Sequence, residues 1–208
     1  MGIRIFDEVD VLEQELAQRS IPYSQYFGEM ELNDNEKEKR EELARQFESI
    51  FLVTFALIKT MRYTEEYMTN YLNRYYLEII SNFSEPDDYL KHYSTEMSQK
   101  IAETTFRNID DKYFTSVDRA MYIAENEANT DMNYLQYVKA IRDGKTRKRW
   151  IDIKDKRERK THLKVGGTIL PIQEPFRVGE SLMLFPKDFS LAAEAEEIIN
   201  CRCSIKYY

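Results

Sequence analysis

A chain of 208 residues, 42% hydrophobic and 32% charged, has the apolar content for a core of its own, which excludes global disorder and fits one domain or a helical region carrying a small second unit. No apolar run approaches the roughly 20 residues of a bilayer span, and residues 1–20 lack the basic start and apolar middle of a secretory signal, so a cytosolic product is expected. The net charge of −7 is unevenly spread, an asymmetry that bears on partners more than on fold.

Residues 1–50 hold thirteen Asp and Glu against six Lys and Arg. Within them, residues 1–33 read as an acidic arm. Val9 to Leu16 could form a short helix before Ile21-Pro22-Tyr23 breaks it. The arm would either order on a partner or dock as a surface helix on its own domain.

Residues 34–144 read as a helical domain. Asn33-Asp34-Asn35-Glu36 places capping side chains ahead of acidic residues that suit the positive end of a helix dipole. Leu43, Phe47, Ile50, Phe51, Thr54, Leu57, Ile58 and Met61 then recur at three- and four-residue steps, predicting a helix from Asp34 to Thr60. A second helix, Thr64 to Asn82, carries Tyr67, Tyr71, Leu72, Tyr75, Ile79 and Phe83. Ser84-Glu85-Pro86-Asp87 stops it and starts a third, with Tyr89, Tyr93, Met97, Ile101 and Phe106 on one side. The fourth runs from near Ser116 to Ile141 on a stripe of Met121, Ala124, Ala128, Leu135, Val138 and Ile141, and Asp143-Gly144 ends it. Most of the fifteen tyrosines fall on helical spacing, which favours core packing over base stacking. A tyrosine-rich face can also serve as an interface within an assembly.

Residues 145–208 change character, to a small loop-rich β unit. Arg149 to Ile153 and Thr168 to Ile172 read as short strands with a turn at Gly166-Gly167. Gln173 to Phe176 and Val178 to Glu180 read as loop and turn, Leu182 to Leu184 as a brief apolar run, and Phe185 to Asp188 as a turn. The last strand is expected from Ile198 to Tyr207, interrupted by Asn-Cys-Arg-Cys. The fold class is α+β, a helical body of about four long helices with a β-rich C-terminal unit.

Several chemistries compete for this last quarter. His162, Cys201 and Cys203 would supply three ligands for zinc, with Asp155 or Asp188 as a fourth. The one-residue cysteine spacer is shorter than in usual structural sites. The alternative is that alternate strand residues put both sulfurs on one face, packed as small apolar groups. No cofactor is therefore expected, with zinc the one candidate. A cysteine beside Arg202 could pair with His162 as nucleophile and base, although no oxyanion site accompanies it. His162 with Arg157, Arg159 and Glu127 could form a nuclease or toxin site acting on a phosphodiester. Residues 142–164, with eleven Lys and Arg against four Asp and Glu, could neutralise phosphates through Lys145, Arg147, Lys148, Arg149, Lys154, Lys156, Arg159 and Lys160. They could equally be a solvated segment balanced by the acidic helices.

The order of residues in the tail carries a resemblance. Trp150 is followed by Asp155-x-Arg157 and His162, then Gly-Gly, then Pro171-Ile172-x-Glu174-Pro175-Phe176 and Gly179-Glu180-x-Leu182. A Pro186-Lys187-Asp188 turn and Asn200-Cys201-Arg202-Cys203 complete it, and Glu127 and Asn129 lie in the helix ahead. From about Met121 to Tyr208 this resembles the C-terminal domain of phage head morphogenesis proteins, the minor head family that includes the Mu F-like proteins. Some members carry a Cys-x-x-Cys where this chain has Arg157 to Thr161, and their Pro-Gly-Asp turn is here Pro186-Lys187-Asp188. The resemblance implies a non-catalytic minor structural protein of a tailed-phage or prophage head, made in the bacterial cytoplasm and incorporated into the virion. It implies association with the portal protein, with other capsid or scaffolding proteins and with viral DNA as further candidate partners, and no membrane. Asp155, Arg157 and His162 would then be a polar network fastening loops. A DNA-binding packaging factor is the remaining alternative.

Overall fold

The computed structural model describes residues 23–156 and 158–208; the helix expected at Val9 to Leu16, most of the acidic arm and Arg157 lie outside the described residues. The described chain forms two compact units, residues 42–125 in one and residues 23–41 together with 126–208 in the other. The division falls inside two long helices.

The helices are α1 (Tyr23–Gly28), α2 (Asp34–Lys59), α3 (Glu65–Ser81), α4 (Asp88–Arg107) and α5 (Val117–Arg142), with a 3-10 turn at Lys112–Thr115. Their starts follow from side chains that satisfy orphan amides. Asn33 Oδ1 accepts from Glu36 N and Glu36 Oε2 accepts from Asn33 N, both at 3.0 Å, a reciprocal box. Thr64 Oγ1 accepts from Tyr67 N at 3.2 Å, and Asp87 Oδ1 from Leu90 N at 3.1 Å. At the end of α5, Lys145 N reaches Ala140 O at 2.9 Å across Gly144, whose φ of 72° a side chain would resist.

In the first unit, Leu43, Phe47, Phe51 and Phe55 of α2 are fully buried, as are Leu72, Tyr76 and Ile80 of α3. Phe47 meets Tyr76 at 4.4 Å between ring centroids. Each such side chain contributes about 1.5–3 kcal/mol by leaving water. Arg119 is held among them, its Nη1 donating to Thr105 Oγ1 at 2.7 Å and its guanidinium 4.8 Å from the Phe55 ring. On α3 the buried stripe is Met68, Leu72, Tyr76 and Ile80, one residue round from the tyrosines expected there. Tyr67 is 52% exposed. Core packing therefore accounts for only some of the tyrosines.

The second unit is built on a three-stranded antiparallel sheet in the order β2-β1-β5, where β1 is Arg147–Ile151, β2 Ile169–Pro171 and β5 Ser204–Tyr207. Trp150 pairs with Ile205 and Lys148 with both Leu170 and Tyr207. A separate hairpin joins β3 (Phe176–Val178) to β4 (Ser181–Met183) through Gly179 at φ 60°. Two short helices, α6 (Lys160–Val165) and α7 (Ala195–Ile198), complete it.

Four expectations are corrected here. Strand β1 starts at Arg147 because Lys148 and Arg149 are its paired central residues. Phe176–Val178 is a strand with Phe176 and Val178 buried and Arg177 outward, too short for its alternation to be read from sequence. The last strand is confined to Ser204–Tyr207. Residues 195–198 turn helically and Asn200 at φ 58° ends any extended run, so the two cysteines precede the strand rather than alternate along it. Finally, α6 was not expected, because its buried residues are Val165 and a histidine.

Candidate functional site

The second half of α5 aims a line of amides at the C-terminal coil. Asn126, Asn129, Asn133 and Gln136 follow one another at three- and four-residue steps and so share a face. Asn129 Nδ2 donates to Cys201 O at 3.1 Å. Asn133 Nδ2 donates to Pro186 O at 3.1 Å and Cys203 O at 3.4 Å. Asn126 Oδ1 accepts from Asn200 N at 3.0 Å and from Lys187 Nζ at 2.7 Å.

The amide oxygens that face away from the coil converge on Arg40. Its Nε donates to Asn129 Oδ1 at 3.2 Å, and its Nη2 to Asn133 Oδ1 at 2.9 Å and Gln136 Oε1 at 3.1 Å. The guanidinium is fully buried, and burial pulls its pKa down to about 10. A cation that can only donate fixes which way each amide points. The opposite ends of Asn129 and Asn133 therefore present N–H groups to the coil, while Gln136 Nε2 donates to Glu36 Oε1 at 2.8 Å.

The coil so held carries Cys201 and Cys203 to His162 on α6. His162 Nδ1 lies 3.4 Å from Cys203 Sγ and 3.5 Å from Cys201 Sγ, and its Nε2 lies 2.9 Å from Glu197 Oε2. Thr161 Oγ1 donates to the same Glu197 oxygen at 2.9 Å. All three ligand-bearing residues are within 2% of complete burial. Trp150 closes one side, its ring edge-on to His162 at 5.9 Å and to Phe176 at 5.3 Å. Gly179 makes room for the carboxylate, since a Cβ there would sit 2.6 Å from Glu197 Oε1.

These contacts set the charges. Burial pushes the Cys201 thiol up. Hydrogen bonds from Cys203 and His162, with the charges of His162 and Lys187, more than reverse this and hold it well below the ordinary thiol range. Cys203 moves well above that range, first through its hydrogen bond to Cys201 and then through burial. Burial disfavours the His162 cation, but the Cys201 sulfur and the Glu197 carboxylate outweigh it and raise its pKa. Lys187 is lowered to about 8 by burial, against the opposing charges of Glu127, Cys201 and Asp131.

The remaining sequence candidates divide by where they lie. Asp155 pairs with Arg202, which also pairs with Glu29. Asp188 accepts from Leu184 N at 2.8 Å and Ser190 N at 2.9 Å, and neither it nor Asp155 groups with His162, Cys201 and Cys203. Pro186 contributes its carbonyl to Asn133. Glu174 and Glu180 are exposed, and Glu180 forms a loose surface pair with Arg177. Of the basic residues, Lys145, Arg147, Lys154, Lys156 and Lys160 are exposed and Arg149 is half-buried. Lys148 is buried, its Nζ donating to Leu184 O at 2.6 Å between the rings of Tyr137 and Phe176, so it is removed from the phosphate-contact set. Arg159 is half-buried with its Nη2 on Ile199 O at 2.5 Å. A phosphodiester site built on His162 would require an accessible ring, and this one is enclosed. Sequence reasoning missed Arg40, Asn126, Asn133 and Glu197. The recurrence of amides on α5 was the signal that could have found the middle two.

A family model described as Phage Mu protein F like protein matches residues 93–206, more than half of the chain. The match begins within α4, further upstream than the resemblance near Met121. No curated protein and no solved structure matches the chain.

Proposed function

The chain belongs to the Phage Mu protein F like family, a family of phage head proteins, and on that premise we propose that it is a minor structural protein of a tailed-phage or prophage head that acts by binding and without catalysis. It docks on the portal during procapsid assembly and genome packaging. The observation that carries this reading is the direction of the signature residues. His162, Asp188, Cys201, Cys203 and Asn129 all point into the second unit and hold its loops together. Such residues make a rigid head rather than a reacting centre.

The first unit offers a docking face. Tyr63, just before α3, stacks on Tyr67 at 5.0 Å, and Tyr71 and Tyr75 meet at 4.7 Å on α3. Partly exposed aromatics of this kind suit burial against another protein.

Co-expression with the portal protein of the same phage, followed by native mass measurement, tests the proposal. A defined complex is expected, weakened by Tyr67→Ser without loss of folding. No complex, together with cleavage of DNA or RNA by the folded chain in magnesium, would overturn it in favour of a nuclease. No complex, with DNA affinity that falls steeply as salt rises, would favour a packaging factor acting through the exposed lysines.

A further inference from the structure

His162, Cys201 and Cys203 bring one nitrogen and two sulfurs within 4.8 Å of one another, in a space closed to solvent. Around a tetrahedral zinc with ordinary Zn–S and Zn–N bonds, neighbouring nitrogen and sulfur ligands stand about 3.6 Å apart. The two nitrogen–sulfur separations here, 3.4 and 3.5 Å, are that edge. Packing of two thiols as apolar groups does not require an imidazole nitrogen equidistant from both.

The far side of the imidazole gives an independent reason. A carboxylate only accepts, so Glu197 at 2.9 Å obliges Nε2 to carry the proton. In the neutral ring that leaves the Nδ1 lone pair directed at the sulfurs. A carboxylate behind a histidine is the usual outer partner of a metal-bound imidazole, fixing its tautomer and ring orientation. Glu197 is itself fixed by Thr161 and by the absence of a side chain at Gly179.

We propose that His162 Nδ1, Cys201 Sγ and Cys203 Sγ bind a structural zinc ion, with Glu197 as the outer-sphere carboxylate. Binding displaces the thiol protons and joins α6 to the coil before β5, two pieces of chain about forty residues apart. Three protein ligands leave a fourth position. Asp155 and Asp188 are engaged elsewhere. Among the described residues no Asp or Glu groups with these three side chains, so the fourth position is left to a water molecule.

The full-length untagged protein, purified with a non-chelating reductant, is analysed for zinc and then titrated with cobalt(II) after metal removal. One zinc per chain is expected, and a cobalt spectrum showing thiolate charge transfer and tetrahedral ligand-field bands. Cys203→Ser should reduce the charge-transfer intensity. Glu197→Gln should weaken zinc binding roughly 10- to 100-fold while keeping the cobalt spectrum tetrahedral. Should Cys203→Ser fail to fold, metal content and the wild-type cobalt spectrum decide alone. Folded, reduced wild-type protein that takes up neither ion at micromolar concentration would overturn the proposal. So would a Cys201 thiol whose alkylation rate is unaffected by added zinc, the mark of a metal-free thiolate–imidazolium pair.

Discussion

Replacing Arg40 by leucine removes the donor from three amide oxygens at once. Each buried acceptor left without a partner costs about 1–3 kcal/mol. Against that stands the relief of a guanidinium whose pKa burial lowers to about 10, despite the opposing charge of Glu36. Removing one member of a buried charged network typically nets about 3–5 kcal/mol of destabilisation. For a chain of this length that is a fall in melting temperature of roughly 6–20 °C. Trp150 is the only tryptophan and is fully buried in the same unit as Arg40, so its fluorescence reports this transition and no other. Adding Asn133→Leu to Arg40→Leu should cost less than the sum of the two single changes, because both remove the same pairing. An Arg40→Leu protein whose Trp150 transition stays within about 1 °C of wild type would refute the claim that the guanidinium orients the amide line.

Two further outcomes follow from the second unit. Gly166→Ala places a Cβ 2.4 Å from Asp152 Cγ, a buried side chain, and should destabilise by about 1–3 kcal/mol in urea titration. Gly28→Ala, where nothing lies within 4 Å, should not. The folded Lys187 ammonium has a pKa of about 8 against 10.5 in the unfolded chain, so the unfolded state holds the extra proton between those values and stability rises with pH there. The rise amounts to roughly 3 kcal/mol over the whole window. It is opposed above pH 10 by Tyr207, Tyr137 and Tyr71, whose raised folded pKa values act in the other direction. Lys187→Gly should lose the rise, which denaturant titrations at pH 7.5 and 9.5 (about one unit either side of 8.5) would reveal.

Hydrophobic periodicity located α2 to α5 almost to the residue, because their ends carry capping side chains and glycine. It failed inside α5. Val138 and Ile141, placed on the buried stripe by their chemistry, are 37% and 44% exposed, while Asn129 and Asn133 are fully buried. A helix face that contacts a buried guanidinium and backbone carbonyls must be polar, and no hydropathy pattern reports it. The same reason hid α6, whose inward residue is His162. Strands of three residues, such as β3 and β4, carry too little alternation to be read at all. The signature motif was legible as a motif, yet its partner Glu197 could be found only once the chain was folded. Lys187 has a physical explanation of the same kind: its φ of 70° lies where glycine is favoured, and the buried hydrogen bond to Asn126 Oδ1 holds the lysine there.

The second unit is interrupted by the whole of the first, and this dictates an order of events during synthesis. Arg40 leaves the ribosome long before Asn129, Asn133 and the coil at Cys201 to Cys203 exist. At about 5–20 residues per second the wait is roughly 8–30 s. Residues 42–125 are continuous and can close their contacts during that interval. The segment from Tyr23 to Glu41 must instead stay available, its cation and acidic neighbours solvated, until the last strand is made. A released chain ending at residue 145 would hold the whole of residues 42–125 but neither the sheet nor the coil that the second unit needs. The second unit can therefore close only once β5 has been made.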